Sequence, residues 1–81
     1  MYKVIAVMPC YKSSKLAPSV AQDVIRYVDR LVCVDDCCPE NTGKTIEMFL
    51  KSDQLDLIYH DRNQGIGGAM KSGIQHALKF N

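Results

Sequence analysis

Short, unbroken apolar runs alternate along this chain with longer segments whose apolar residues recur every three or four positions. The first run spans residues 2–8 and contains Val4-Ile5-Ala6-Val7-Met8 ahead of Pro9. It shows no in-out alternation, which predicts a strand covered on both faces, as in a parallel sheet. Residues 31–34 form a second such run, ending at Asp35-Asp36, and residues 55–59 a third, weakly alternating at Asp56. Between the runs, Leu16, Val20, Val24 and Val28 recur every fourth residue and predict a helix over 17–27. Ser13 and Ser14 offer N-caps for it, and Pro18 fits in its first turn. A second helix is predicted over 42–51, with Ile46, Phe49 and Leu50 on one side. A third is predicted over 66–80, with Ile66, Ala69, Met70, Gly73, Ile74, Ala77 and Leu78 facing inward. The order β-α-β-α-β-α predicts an α/β fold, a parallel sheet with right-handed crossovers forming half of a doubly wound domain.

Composition narrows the function classes. Eighty-one residues make a single small domain, and 47% hydrophobic with 23% charged residues is ordinary for a globular chain. A net charge of +1, with no basic stripe, argues against nucleic acid as a partner. The longest apolar stretch, residues 4–9, falls far short of the roughly 20 residues that span a bilayer. It also lacks the cleavage site of a secretory signal, so a cytoplasmic location is expected. Cys10, Cys33, Cys37 and Cys38 have neither a C-x2-C pair nor a distant His pair, and neighbouring Cys37 and Cys38 do not bridge without strain. Four reduced thiols in or near the core are the expectation.

In open parallel sheets, ligands bind beyond the carboxyl ends of the strands. Three polar clusters fall there: residues 9–12, Asp35-Asp36, and residues 62–65. Tyr11 can present a ring face to a planar base, with Pro9 holding the backbone extended before it, or the pair can simply end the strand. Asp35 and Asp36 are adjacent and point to opposite faces, so they cannot form a dyad. One is expected to cap loop amides, and the other to reach the cleft and accept from a base imide or a ribose hydroxyl. Gly65-Ile66-Gly67-Gly68 opens the last helix and allows either a ligand or the sheet to approach closely. Met70 breaks any G-x-G-x-x-G fingerprint. Lys71 lies one turn beyond Gly67, in reach of a phosphate or simply solvated. His60 and His76 belong to no nucleophile pattern and are read as structural or exposed.

Taken together, these clusters resemble the family 2 glycosyltransferases of GT-A fold, in particular the polyprenyl-phosphate sugar synthases such as dolichol-phosphate mannose synthase. That group opens with a strand and Pro-x-Tyr-Asn-Glu, where this chain has Pro9-Cys10-Tyr11-Lys12-Ser13. Its second strand ends Val-Asp-Asp-Gly-Ser-x-Asp-x-Thr, here Val34-Asp35-Asp36-Cys37-Cys38-Pro39-Glu40-Asn41-Thr42. Its third block, Arg-x-x-Asn-x-Gly-x-Gly-x-Ala-x-x-x-Gly, is close to the run from Asp61 to Gly73. The likeness covers nearly all of the chain, in order and at family spacing.

The resemblance implies that residues 1–81 are a single partial domain, the nucleotide-sugar-binding half of such an enzyme. Pro9, Tyr11 and Asp36 would line the base and ribose pocket of a UDP- or GDP-sugar donor, with Asp35 supporting the loop. Gly67, Gly68 and Lys71 would lie near the donor's ribose and phosphates. Lys12-Ser13 and Cys37-Cys38 depart from the family pattern, which leaves uracil or guanine open as the base. The family's Asp-x-Asp, which holds Mg2+ or Mn2+ against the diphosphate, would follow Asn81. The chain alone is therefore expected to bind the donor without turnover. The full-length enzyme would pass the sugar to a polyprenyl phosphate or a glycan at the cytoplasmic face of the membrane. The rival reading is a nucleotide-binding module without catalysis. With the first strand at an edge, a homo-oligomer through it is also expected.

Overall fold

The computed structural model describes residues 4–12 and 14–80. Its elements follow the predicted order: β1 (Ile5–Cys10), α1 (Ala17–Val24), β2 (Arg30–Asp35), α2 (Thr42–Leu50), β3 (Leu55–Tyr59) and α3 (Gly65–Ala77), with a final 3-10 turn at Leu78–Phe80. The strands form one parallel sheet ordered β1-β2-β3, with Val7 opposite Val32 and Asp35 opposite Tyr59.

The central strand explains the two-sided cover. Leu31 and Cys33 face Ala17, Ala21 and Ile46 from α1 and α2, while Val32 and Val34 face Ala69 of α3. All four β2 side chains are buried, so its unbroken apolar run is the run of a strand between two helical layers. α3 lies close to the sheet because Gly73 has no side chain. A Cβ there would collide with Val7 Cγ1 and stand 3.2 Å from Val34 Cγ2.

Several boundaries and faces differ from the sequence reading. The first strand continues through Pro9 to Cys10, while Tyr2 and Lys3 lie outside the described residues. Cys10 and Val4 turn their carbonyls toward β2, accepting from Asp36 N and Asp29 N. By strand alternation Pro9 therefore faces the open edge, where a missing N–H breaks no ladder bond. α1 ends at Val24 rather than at 27, and its N-cap is Leu16 without a side-chain bond. Ser13 lies outside the described residues, and the Ser14 hydroxyl donates instead to Glu40. The buried face of α1 is Ala17, Pro18 and Ala21, whereas Leu16 and Val20 are exposed. Small residues win that face because they let the helix sit close to the sheet. On α2, Ile46 is buried but Phe49 is exposed; on α3, Ala69 and Gly73 are buried while Ile66, Ile74 and Leu78 are exposed. Periodicity marked α3 as apolar on a face wider than three strands can cover.

Candidate functional site

The end of β2 sends its two carboxylates in opposite directions. Asp35 continues the Leu31-Cys33 side, toward α2. Its Oδ1 accepts from Cys38 N and its Oδ2 from Gly43 N, both at 2.7 Å. It is buried and fastens the start of α2, as the capping expectation required of one of the pair. Asp36 continues the Val32-Val34 side, toward α3. Its Oδ1 accepts from Gln64 N and its Oδ2 from Gly65 N, each at 2.8 Å, at the opening of that helix. Its Oδ1 also lies 2.8 Å from His60 Nδ1. Both acids therefore cap, whereas the sequence reading gave that role to one of the pair and sent the other to the cleft.

Burial pushes the Asp36 carboxyl up, but the bonds from His60 and the Gln64 and Gly65 amides outweigh it and hold the group below the ordinary carboxylate value. The positive end of α3 adds to the same preference for the charged form. His60 in turn places Nε2 2.8 Å from the Ser72 hydroxyl. An ionised carboxylate only accepts, so Nδ1 is the donor to Asp36, and Nε2 is left to meet the Ser72 hydroxyl. The chain Asp36–His60–Ser72 joins β2, the β3–α3 loop and α3.

A second set of bonds ties the other two loops. Cys38 Sγ accepts from Lys12 N at 3.1 Å and Glu40 N at 3.4 Å, and lies 3.0 Å from the Thr42 hydroxyl. Burial raises this thiol's pKa, and the bonds from Thr42, Lys12 and Glu40 overcome that and bring it below its usual value. All four cysteines are free, as expected; Cys10, Cys33 and Cys38 are buried and Cys37 is exposed. Cys37 holds φ at 57°, the left-handed region that favours glycine.

Within this frame a cavity of about 250 Å³ opens, lined by Pro9, Cys10, Tyr11, Asp36, Ile66 and Ala69. Ligand pockets for whole small molecules start at roughly 300 Å³, so this space suits one ring system with its sugar outside. Pro9, Tyr11 and Asp36 thus meet as the sequence reading requires. Tyr11 is 45% exposed, and the Lys12 ammonium lies over its ring, 5.5 Å from the centroid, in a cation–π contact. Gly67 and Gly68 sit in the first turn of α3, between the lining residues Ile66 and Ala69. Asp35 lies across the sheet. Lys71 is exposed on α3 and is not among the lining residues. His60 was the residue to miss. Its signal was register: Asp35 pairs with Tyr59, so the next residues, Asp36 and His60, stand side by side.

Comparison with known proteins decides the family. The model for Glycosyl transferase family 2 matches residues 5–79, nearly the whole chain. The chain belongs to glycosyl transferase family 2. The chain is also 31% identical over 80 residues to the uncharacterized protein MJ0544 of Methanocaldococcus jannaschii. The match covers 96% of this chain and 35% of that relative, so the chain spans about a third of its length. No solved structure is significantly similar to the chain. The three parallel strands alternating with helices agree with a GT-A domain, of which they make a Rossmann-like half.

Among the described residues no three His, Cys, Asp or Glu side chains gather as a metal site, and both rim aspartates are engaged with backbone amides. Among the same residues no helix is long and apolar enough to cross a membrane.

Proposed function

We propose that this glycosyl transferase family 2 chain holds the nucleoside end of a nucleotide-sugar donor, a UDP- or GDP-sugar. One observation carries the reading: the end of β1 and the residue after it (Pro9, Tyr11), the residue that follows β2 (Asp36) and the first turns of α3 (Ile66, Ala69) line a single cavity at the carboxyl rim of the sheet. The base would lie against the Tyr11 ring and offer an N–H to Asp36. The ribose and diphosphate would pass over the Gly67-Gly68 turn toward Lys71, where the helix N-terminus favours negative charge. In the longer protein the sugar would go to a polyprenyl phosphate, as in the synthases the motifs resemble, or to a glycan. Mg2+ or Mn2+, held by residues outside this chain, would neutralise the departing diphosphate. Such a protein would work in the cytoplasm, peripherally at the membrane face.

Titration calorimetry of UDP and GDP into the folded chain, with and without Mn2+, tests the reading. Saturable heat with at least one nucleotide is expected, and Tyr11→Ala should weaken it about tenfold, the loss of one good stacking contact. Flat traces for both nucleotides from folded protein would overturn the donor site. Self-association through the outer edge of β1 belongs to the same proposal. Light scattering checks it, and a monomer with β1 ordered would remove it.

A further inference from the structure

An ionised carboxylate offers about four acceptor positions, two on each oxygen. Among the described residues Asp36 spends three of them. Oδ1 takes His60 Nδ1 and Gln64 N, and Oδ2 takes Gly65 N. Oδ1 is therefore full, and the position left over is on Oδ2. The backbone donors come with the fold of the loop, but the third bond is a side-chain choice. His60 is held for it from behind by Ser72, and the His60 and Asp36 side chains are only 7% and 5% exposed. Both side chains are thus held in a buried setting, and rotating Asp36 would take the Gln64 amide's acceptor away, while the Gly65 amide would keep its second bond to Asn63 Oδ1.

We propose that His60, anchored by Ser72, is a positioning residue that fills Oδ1 of Asp36 and so makes the cavity selective for a base edge with one N–H between acceptors over an edge with two adjacent N–H donors. The inference rests on the donor-site reading above. A uracil edge presents one imide N–H between two carbonyls and needs only the Oδ2 position. A guanine edge presents N1–H beside an exocyclic amine and pairs with a carboxylate through both oxygens, as an arginine fork does. With Oδ1 occupied, guanine leaves one buried donor without a partner, which weakens its binding.

The test measures UDP and GDP affinities for the wild-type chain and for His60→Ala, His60→Asn and Ser72→Ala. The wild type should favour UDP by about tenfold or more, the ratio that one unpaired buried donor sets. His60→Ala frees Oδ1, so the preference should shrink toward equality. His60→Asn restores an N–H near the Nδ1 position and should recover most of it, which a merely space-filling role would not require. Ser72→Ala, which leaves every bond to Asp36 in place, should relax the preference part of the way; it keeps the test alive if His60→Ala does not fold. A wild type that prefers GDP, or a folded His60→Ala with an unchanged ratio, overturns the proposal.

If neither nucleotide binds the folded wild type, the donor reading and the selectivity fail together. The positioning is then judged in the nucleotide-free protein by NMR. Asp36 should titrate at a higher pH in His60→Ala and stay low in His60→Asn, with Nδ1 protonated in the wild type. An Asp36 titration indifferent to His60 would overturn the positioning as well.

Discussion

Asp35 and Asp36 are neighbours of one residue type at the end of one strand, and each caps a helix, yet their surroundings have opposite characters. On the Asp35 side, the carboxylate, Cys38 N, Gly43 N and the buried Thr42 close into a filled knot. On the Asp36 side, the carboxylate caps α3 and also borders a cavity, with one acceptor position left over. The alternation of a strand distributes the pair, since adjacent side chains must enter different layers. What differs afterwards is what meets them: a small, well-packed turn at α2, and an exposed glycine-rich turn at α3. Filled and cavity-facing surroundings are thus separated by one residue of sequence and the thickness of a sheet.

Substituting the two acids is the strongest test of that contrast. Asp35→Ala strands two buried amides at about 1–3 kcal/mol each and should cost on the order of 3 kcal/mol. For a domain of this size that lowers Tm by roughly 15 °C or more, read by thermal unfolding followed by circular dichroism. Asp36→Ala should cost less, about 1–2 kcal/mol, because water in the cavity can reach the Gln64 and Gly65 amides. It should abolish nucleotide binding in protein that is still folded. Equal losses of stability would erase the distinction.

Glycines extend the same contrast at a smaller scale. At Gly43 an added Cβ would stand 2.7 Å from Tyr59 Cε1 and 2.8 Å from Asp35 Oδ2, so Gly43→Ala should destabilise by about 1–3 kcal/mol. At Gly67 an added Cβ meets nothing within 4 Å. Gly67→Ala should therefore stabilise the helix by up to about 1 kcal/mol while lowering nucleotide affinity, if the donor passes over that turn. Denaturant melts and calorimetry on the same samples separate the two effects.

The outline of this arrangement was legible in the sequence, because unbroken apolar runs and breaker-rich loops report directly on strands and their ends. β3 was read at its full extent, and the convergence of the strand-end clusters on one rim followed from parallel topology, whereas the choice of Asp36 over Asp35 came only with the family resemblance. Helix faces were read less well. Periodicity finds apolar stripes but does not say how much of each the sheet can cover, so Leu16, Phe49, Ile66 and Leu78 were assigned inward although the first three are exposed by more than half and Leu78 by 61%. The second cap stayed hidden for another reason. Which backbone amides a carboxylate meets depends on loop conformation, and nothing in residue order marks it.

Cys37 sharpens the comparison from the loop between the knot and the cavity. Its φ of 57° costs a side chain that glycine would not carry, and the thiol itself is exposed. Cys37→Gly should stabilise the chain by about 1 kcal/mol without changing nucleotide affinity. It should also remove the thiol that reacts fastest with a thiol-specific reagent in native protein, since Cys10, Cys33 and Cys38 are buried. Rapid labelling of a second cysteine would mean that the Cys38 knot opens more readily than its hydrogen bonds imply.

The mildest perturbation changes no atom of the chain except a proton. The folded Asp36 carboxyl sits below its ordinary value of 3.8 because His60 and two amides bind its charged form more strongly than burial opposes it. The folded state therefore releases this proton more readily than the unfolded chain does. That stability is fully present above the unfolded value and is lost as pH falls below 3.8 through the lower folded value. Asp36→Asn removes the titrating group, so the wild type should lose stability more steeply than the variant over that acid window, while the two curves run parallel above it. Urea melts at a series of pH values measure the difference. Parallel curves throughout would show that the bonds at Asp36 do not favour its charged form, and the cavity side would then lose its electrostatic distinction from the knot.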